Sequence, residues 1–381
     1  MAKAKGIHVV GKGAHATITT TVKAVVAALR NMIAQKGKIS IPVLSYVMVK
    51  DASIIGTDLD TTTIVPFEGK GKGSFLIPYK QTLDALAGEA GDLVLEFHDT
   101  IGEKSGGKED GRRFVKLTVG AVEFEFATLS TANFPQVPKQ ADSTLVIDGP
   151  TLETMLARTD ISISNEQSRY TLNATLLKAS NGKVTMVATD GHRLSLVTGK
   201  GDGTMDDTLI APAATRWLRK NCGGDVSIGV DENTHTIKTQ NGTIIARKIT
   251  GQFPKYEQVM PPNNKIVATF NSPEKFSDIL KRVVKCSDER SGAVKLLAAE
   301  SKTTLSASST DRGSAKADIP CVTVGLPAHS AALQMWFNGE YILDFLKVID
   351  EGQFTLALKD RESAGVFEVK DFKYIIMPMR I

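Results

Sequence analysis

Apolar and polar positions fall into the same order three times along the 381 residues. An amphipathic stretch comes first, with apolar stripes that begin at Val22, Leu152 and Phe276. A strand-like run then ends on a Thr-Asp pair, at Thr57-Asp58, Thr189-Asp190 and Thr310-Asp311, at intervals close to a third of the chain. A second helix is expected near Pro78, Pro212 and Asn338. Short alternating strands follow at Leu93-Val94-Leu95, Val226-Ser227-Ile228 and Phe354-Thr355-Leu356. Units longer than the roughly 20–50 residues of solenoid repeats are copies of a whole domain. The pattern predicts a triplicated α+β domain, each copy with two helices packed on one face of a mostly antiparallel sheet. The copies are bounded at residues 1–139, 140–264 and 265–381.

Local signals fix several ends. Val22, Val25, Val26, Leu29, Met32 and Ile33 share one helical face, predicting a helix over roughly Thr20 to Gln35 that Gly37 stops. Ile41-Pro42-Val43-Leu44 is expected to begin a strand. Asp148-Gly149-Pro150 and Asn271-Ser272-Pro273 each read as a cap followed by an early-turn proline. Phe134-Pro135-Gln136-Val137-Pro138 and Phe253-Pro254-Lys255-Tyr256 read as stiff linkers. The apolar end, Tyr374 to Ile381, is expected to dock on the body or to present a binding surface.

Composition narrows the class. An apolar content of 42% supplies cores, and no stretch approaches the ~18–20 apolar residues of a membrane span. The opening Met1-Ala2-Lys3-Ala4-Lys5-Gly6 has no apolar signal core behind it, and Cys222, Cys286 and Cys321 lack CxxC spacing. A cytoplasmic protein with reduced thiols and no cofactor is expected. The net charge of +4 is small, so the distribution of charge decides what it means. Lys23, Arg30, Arg158, Arg216, Arg219, Lys220, Lys281, Arg282 and Lys285 recur on helix faces of all three copies. Any one of these helices is read as a solvated face. Recurrence favours a shared surface for a phosphate backbone, bound without base reading. With only 6% aromatic residues there is no stacking platform for single strands, so duplex fits better.

Candidate chemistry is sparse. Asp190-Gly191-His192-Arg193 gathers a carboxylate, a histidine and an arginine. A hydrolytic enzyme would use His192 as a base oriented by Asp190, but no nucleophile or metal motif completes that constellation. A turn held by Asp190 and Gly191, with His192 and Arg193 lining a groove, is the simpler reading. The aspartates Asp58, Asp190 and Asp311 are expected to make turn bonds. Gly69-Lys70-Gly71-Lys72-Gly73-Ser74 lacks the spacing of a phosphate loop and reads as a mobile basic hairpin.

Three stretches carry a family likeness: Arg169-Tyr170-Thr171-Leu172-Asn173, Ala188 to Leu194, and Tyr374 to Ile381. Phe253 to Tyr256 and Phe337 to Tyr341 add to it, and the likeness spans essentially the whole chain. On these the chain resembles the bacterial DNA polymerase III β subunit, the sliding clamp. The resemblance implies the DNA clamp fold, a head-to-tail dimeric ring around duplex DNA, and a non-catalytic role as processivity factor. Its implied partners are a replicative DNA polymerase, an ATP-driven clamp loader and other proteins carrying a short apolar motif. The implied peptide pocket comprises Leu172, Thr189, Gly191, His192, Arg193, Leu194, Pro254, Val259, Tyr341, Ile375, Met377, Pro378, Met379 and Arg380, with Arg193 or Arg380 holding the peptide's polar end. Gln258 stands where the family often has a basic residue. Implied DNA contacts are Lys38, Arg169 and Tyr170, and Phe124 is implied at the subunit contact, facing the region of Lys285 and Cys286. A non-ring protein that binds duplex DNA is the alternative reading.

Overall fold

The computed structural model describes residues 14–33, 40–99, 112–166, 168–262, 264–327, 331–349 and 352–380, and the backbone of 104–105 and 108–109. Among them are six α-helices: α1 Val22–Arg30, α2 Tyr79–Ala85, α3 Gly149–Asp160, α4 Pro212–Asn221, α5 Pro273–Val284 and α6 Gly339–Lys347. Each lies where the repeated pattern places it. Capping explains the sharp starts of the odd-numbered helices. Thr21 Oγ1 accepts from Ala24 N at 3.2 Å, Asp148 Oδ2 from Thr151 N at 3.1 Å, and Ser272 Oγ from Lys275 N at 3.3 Å. In α3 and α5 a proline follows the cap, where its missing N–H costs nothing.

Two compact units emerge, Met1–Ser143 with Arg216–Arg247, and Thr144–Thr215 with Lys248–Ile381. They do not follow the repeat boundaries, and strand pairing explains why. In the first unit Gly242–Arg247 pairs antiparallel with Thr61–Pro66, from Thr243↔Ile64 to Ala246↔Thr61. In the second unit Phe372–Ile376 pairs with Arg193–Lys200, from Leu194↔Ile375 to Val197↔Phe372. Sheets thus run on from one copy of the repeat into the next.

The first unit also holds a five-stranded antiparallel sheet, in the order Val122–Ala127, Arg113–Val119, Asp92–Asp99, Ala16–Thr21 and Gly69–Lys72. Its inner face meets the buried stripe of α1, Val22, Val25, Ala28 and Leu29, in a core with Leu93, Leu95, Val115 and Leu117. The glycine-lysine run is therefore an edge strand and not a mobile hairpin. Gly71, at φ +130°, lies so close to its neighbour that a Cβ would sit 2.1 Å from Thr17 O. Only glycine permits that approach.

The second unit carries a nine-stranded sheet with Lys183–Thr189, Arg193–Lys200 and Phe372–Ile376 side by side at its centre, and a four-stranded sheet edged by Gly313–Pro320. Phe345 of α6 anchors an aromatic core, its ring centroid 5.3–5.7 Å from those of Phe354, Phe367, Phe372 and Tyr374. All five are essentially inaccessible to solvent. No helix among the described residues is long and apolar enough to cross a membrane.

Four further expectations change. Pro42–Ser45 forms a 3-10 turn and the strand starts at Tyr46, because proline suits a helical first turn and cannot donate to a ladder. Arg158 is buried and its guanidinium lies 5.5 Å from the Phe372 ring, so it belongs to the core and not to an exposed basic face. At the third Thr-Asp pair, Ser309↔Gly313 pairing leaves a loop one residue shorter, and Ser309 Oγ accepts from Arg312 N at 3.1 Å. The helix expected to reach Gln35 ends at Arg30, capped by Asn31, and Lys38 lies outside the described residues.

Candidate functional site

The turn Thr189–Arg193 is a closed knot of hydrogen bonds. Thr189 Oγ1 donates to Arg193 O at 2.7 Å and accepts from Gly191 N at 3.1 Å. Asp190 Oδ1 accepts from the backbone N of His192 and of Arg193, at 2.9 and 3.0 Å, and its Oδ2 accepts from Arg193 Nε at 2.9 Å. Gly191 takes φ +92°, the left-handed conformation that the knot requires. The Asp190 carboxylate is thus bound to backbone and to Arg193, and the base-and-orienter pair of the hydrolytic reading does not form.

Arg193 looks inward. Its Nη1 donates to Asp344 Oδ2 of α6 at 2.7 Å and to the Tyr374 hydroxyl at 3.2 Å, and its guanidinium lies 4.1 Å from the Tyr341 ring centroid. Burial works against its charge, but Tyr374, Asp344 and Asp190 more than offset that and raise its pKa. Burial likewise raises the Asp344 carboxyl, yet hydrogen bonds from Arg193 and from Lys347, at 2.8 Å, outweigh it and leave the pKa below the ordinary carboxylate value. Burial pushes the Tyr374 hydroxyl up, so it stays protonated. Arg193 is therefore a latch joining the turn to α6 and the last strand. That occupation argues against its holding a peptide's polar end.

The other wall comes from two irregular segments. Tyr170–Asn173 is a 3-10 turn that buries Leu172, and Tyr256–Val259 is a second that buries Tyr256. Lys178 steadies the second, with Nζ 5.1 Å from the Tyr256 ring centroid and 3.6 Å from Glu257 Oε1. The last strand completes the enclosure where Met377 N donates to His192 O at 2.9 Å.

These walls enclose a cavity of about 160 Å³. Leu172, Thr189, Gly191, Arg193, Leu194, Pro254, Val259, Ile375 and Met377 line it, as expected from sequence. Lys255 and Tyr256 line it too, and were missed. Tyrosine at the end of a proline linker was the available signal, a large apolar ring in a segment too short for its own core. His192 and Tyr341 lie outside the lining: His192 O accepts from Met377 N, and Tyr341 stacks on the Arg193 guanidinium. Pro378, Met379 and Arg380 lie outside the lining, and Met379 N donates to Trp336 O at 2.8 Å. The rim is partly apolar and open, with Val259 47% and Met377 44% exposed.

The remaining candidates are placed as follows. Arg169 bonds Glu166 at 3.1 Å and reaches the pocket rim, where a Cβ on Gly191 would lie 3.3 Å from its Nη1. Tyr170 is 57% exposed. Phe124 sits half-buried in the edge strand Val122–Ala127, stacked on Phe126 with centroids 6.4 Å apart. Lys285 is exposed and Cys286 half-buried just after α5. Lys23, Arg30, Arg216, Arg219, Lys220, Lys281 and Arg282 are exposed on their helices.

Comparison with known proteins places this arrangement. Residues 146–255 match the family model for the central domain of the DNA polymerase III beta subunit, and residues 257–380 match that for its C-terminal domain. The beta sliding clamp of Chlamydia pneumoniae is 27% identical over 354 residues, covering 90% of this chain and 92% of that one. That of Escherichia coli K12 is 24% identical over 371 residues, covering 91% and 94%. Among solved structures, the C. crescentus beta sliding clamp superimposes with a TM-score of 0.85 at 24% identity, over 97% of this chain and all of that one. A Pseudomonas aeruginosa sliding clamp bound to griselimycin gives 0.84 at 22% identity, over 97% and 100%. These structures speak for the shared fold, while the matched models reach across the turn, the linker and the last strand that build the cavity. The chain belongs to the DNA polymerase III beta subunit family, the sliding clamps.

Proposed function

We propose that the chain is a processivity clamp made of three clamp domains, 1–139, 140–264 and 265–381, and that two copies close head to tail around duplex DNA. The observation that carries this reading is the family match joined to exposed lysine and arginine on helices from every copy of the repeat. Such faces hold a phosphate backbone loosely and without sequence preference, which suits sliding. Arg169, Tyr170 and Lys38 are proposed as further duplex contacts. The subunit contact would join the edge strand bearing Phe124 to the segment around Lys285 and Cys286 of the second copy, beside the edge strand Gly313–Pro320. Two unpaired strand edges favour such an addition, since their backbone groups lack ladder partners.

The role is mechanical and non-catalytic: a closed ring holds a tethered polymerase at high local concentration. The polymerase and other partners would insert an apolar motif into the cavity, whose volume resembles that of engineered cavities of about 150 Å³ that admit a benzene ring. Exposed Met377 and Val259 at the rim favour this, because apolar groups kept at a concave surface mark interaction sites. Closing such a ring on DNA calls for a separate ATP-driven loader, and cysteines that form no disulfide among the described residues, Cys222, Cys286 and Cys321, fit the cytoplasm.

Retention on closed-circular versus linearised plasmid at moderate salt tests the reading. After enzymatic loading, the ring should remain on circles and run off linear ends. Equal retention on both would leave a non-ring duplex binder. Light scattering at micromolar concentration should give twice the 40.9 kDa chain mass.

A further inference from the structure

We infer that Lys255 is a specificity-determining residue of the cavity, selecting apolar peptides that carry an aspartate or glutamate beside their anchor side chains. The inference rests on the peptide-pocket reading above and goes one step further, to the chemistry of the ligand.

Among the described residues, two charged side chains line the cavity, Arg193 and Lys255. Arg193 has its Nε turned to Asp190, its Nη1 to Asp344 and Tyr374, and its face to Tyr341. It is held in place and presents little charge to a ligand. Neighbouring cations are engaged as well: Lys178 with Tyr256 and Glu257, and Arg169 with Glu166. Lys255 differs. It is exposed, and among the described residues its ammonium makes no ion pair or side-chain hydrogen bond. Its backbone is nevertheless fixed, because Lys255 O accepts from Gln258 N at 3.1 Å as the 3-10 turn begins. A flexible cation on a fixed stem thus overhangs an apolar well.

An apolar side chain entering the well brings its neighbours within reach of that ammonium. A carboxylate there gains an ion pair at a partly dehydrated rim, and a lysine or arginine is repelled, so discrimination exceeds the gain in affinity. The open rim lets a peptide pass over the site in mid-chain, which favours an acidic side chain over a terminal carboxylate. A rim charge of this kind acts on association rate and fades with salt.

The test is selection from random decapeptides displayed within a loop, with no free terminus, against the full-length protein. A Met377→Glu variant serves to subtract binders from elsewhere. Enrichment of Leu- or Phe-containing peptides with a nearby Asp or Glu is expected. Synthetic copies should bind roughly 5- to 10-fold more tightly than their Asn or Gln twins at low salt, with the gap closing near 0.5 M salt. Lys255→Glu should reverse the preference while leaving unfolding unchanged, since the side chain is exposed. Pocket-dependent peptides without acidic residues, or a preference that survives Lys255→Glu, would overturn the inference and leave the pocket reading intact. An acid preference confined to peptides with a free C-terminus would also overturn it. Failure to enrich any Met377-sensitive peptide would remove the pocket reading itself, and this inference with it.

Discussion

The turns Thr57–Thr61 and Thr189–Arg193 have the same backbone and opposite fates. In both, the threonine hydroxyl donates to the fifth residue's carbonyl and accepts from the third residue's N–H. In both, the aspartate Oδ1 accepts from the fourth and fifth backbone N–H groups. In both, the third residue has positive φ, +79° at Leu59 and +92° at Gly191. They differ in side chain at the third, fourth and fifth positions, and the fifth separates their fates. Thr61 is buried beside Thr62, whose hydroxyl donates to Thr57 Oγ1. Among the described residues that turn joins only the adjoining strand, where Asp60 O accepts from Arg247 N at 2.8 Å. Arg193 reaches out to α6 and the last strand, and its turn becomes one wall of a cavity. A stable scaffold leaves a few positions free to vary, and Arg193 at one of them joins its turn to the elements beside the cavity.

Exchanging the fifth residue should break the comparison most strongly. Arg193→Thr gives the second turn the first turn's ending, and leaves Asp344, Asp190 and the Tyr374 hydroxyl without their shared donor. Removing one partner of a largely buried pair costs about 3 kcal/mol. Urea unfolding should show this as a lower midpoint at unchanged slope. The same variant should lose peptide affinity, because the latch positions the last strand.

Acid sharpens the same contrast. The Asp344 carboxyl is held below the ordinary carboxylate value in the folded protein. Its contribution is fully present above the unfolded value of about 4 and is lost as pH falls through the lower folded value. Stability measured between pH 5 and pH 2 should therefore fall more steeply in the wild type than in Arg193→Thr, where Lys347 alone is left to hold that pKa down. Parallel curves would show that the latch does not set the acid sensitivity.

Much of this was legible in the sequence, for identifiable reasons. Helix positions and caps follow from local spacing, so Asp148 and Ser272 could be assigned from the residues beside them. Most of the cavity wall came from three stretches with a family likeness. What sequence missed depends on long separations. Nothing near Arg193 points to Asp344, which lies 151 residues away, and the aromatic core around Phe345 gathers rings from separate strands. Arg158 reads as an outward-facing cation until Phe372 is seen beneath it. Nor does the spacing of the Thr-Asp pairs show that sheets pass from one copy of the repeat into the next.

The third position of the turns offers the smallest and most selective exchange. A leucine at positive φ carries a strain of about 1–2 kcal/mol that glycine does not. Glycine in turn is more flexible when unfolded, at about 0.5–1 kcal/mol. Leu59→Gly should therefore stabilise by only about 0.5 kcal/mol, and less if the half-exposed leucine loses useful contacts. Gly191→Leu should destabilise by a similarly small amount, but its Cβ would press on Arg169 Nη1 at 3.3 Å, at the mouth of the cavity. Arg169 is a long side chain that can give way, so folding survives while the rim changes shape. Peptide affinity should then fall severalfold in Gly191→Leu and stay unchanged in Leu59→Gly. Equal effects on binding would show that glycine at this position does no more than permit the turn. Unequal effects would show that glycine at this position clears the entrance as well as permitting the turn.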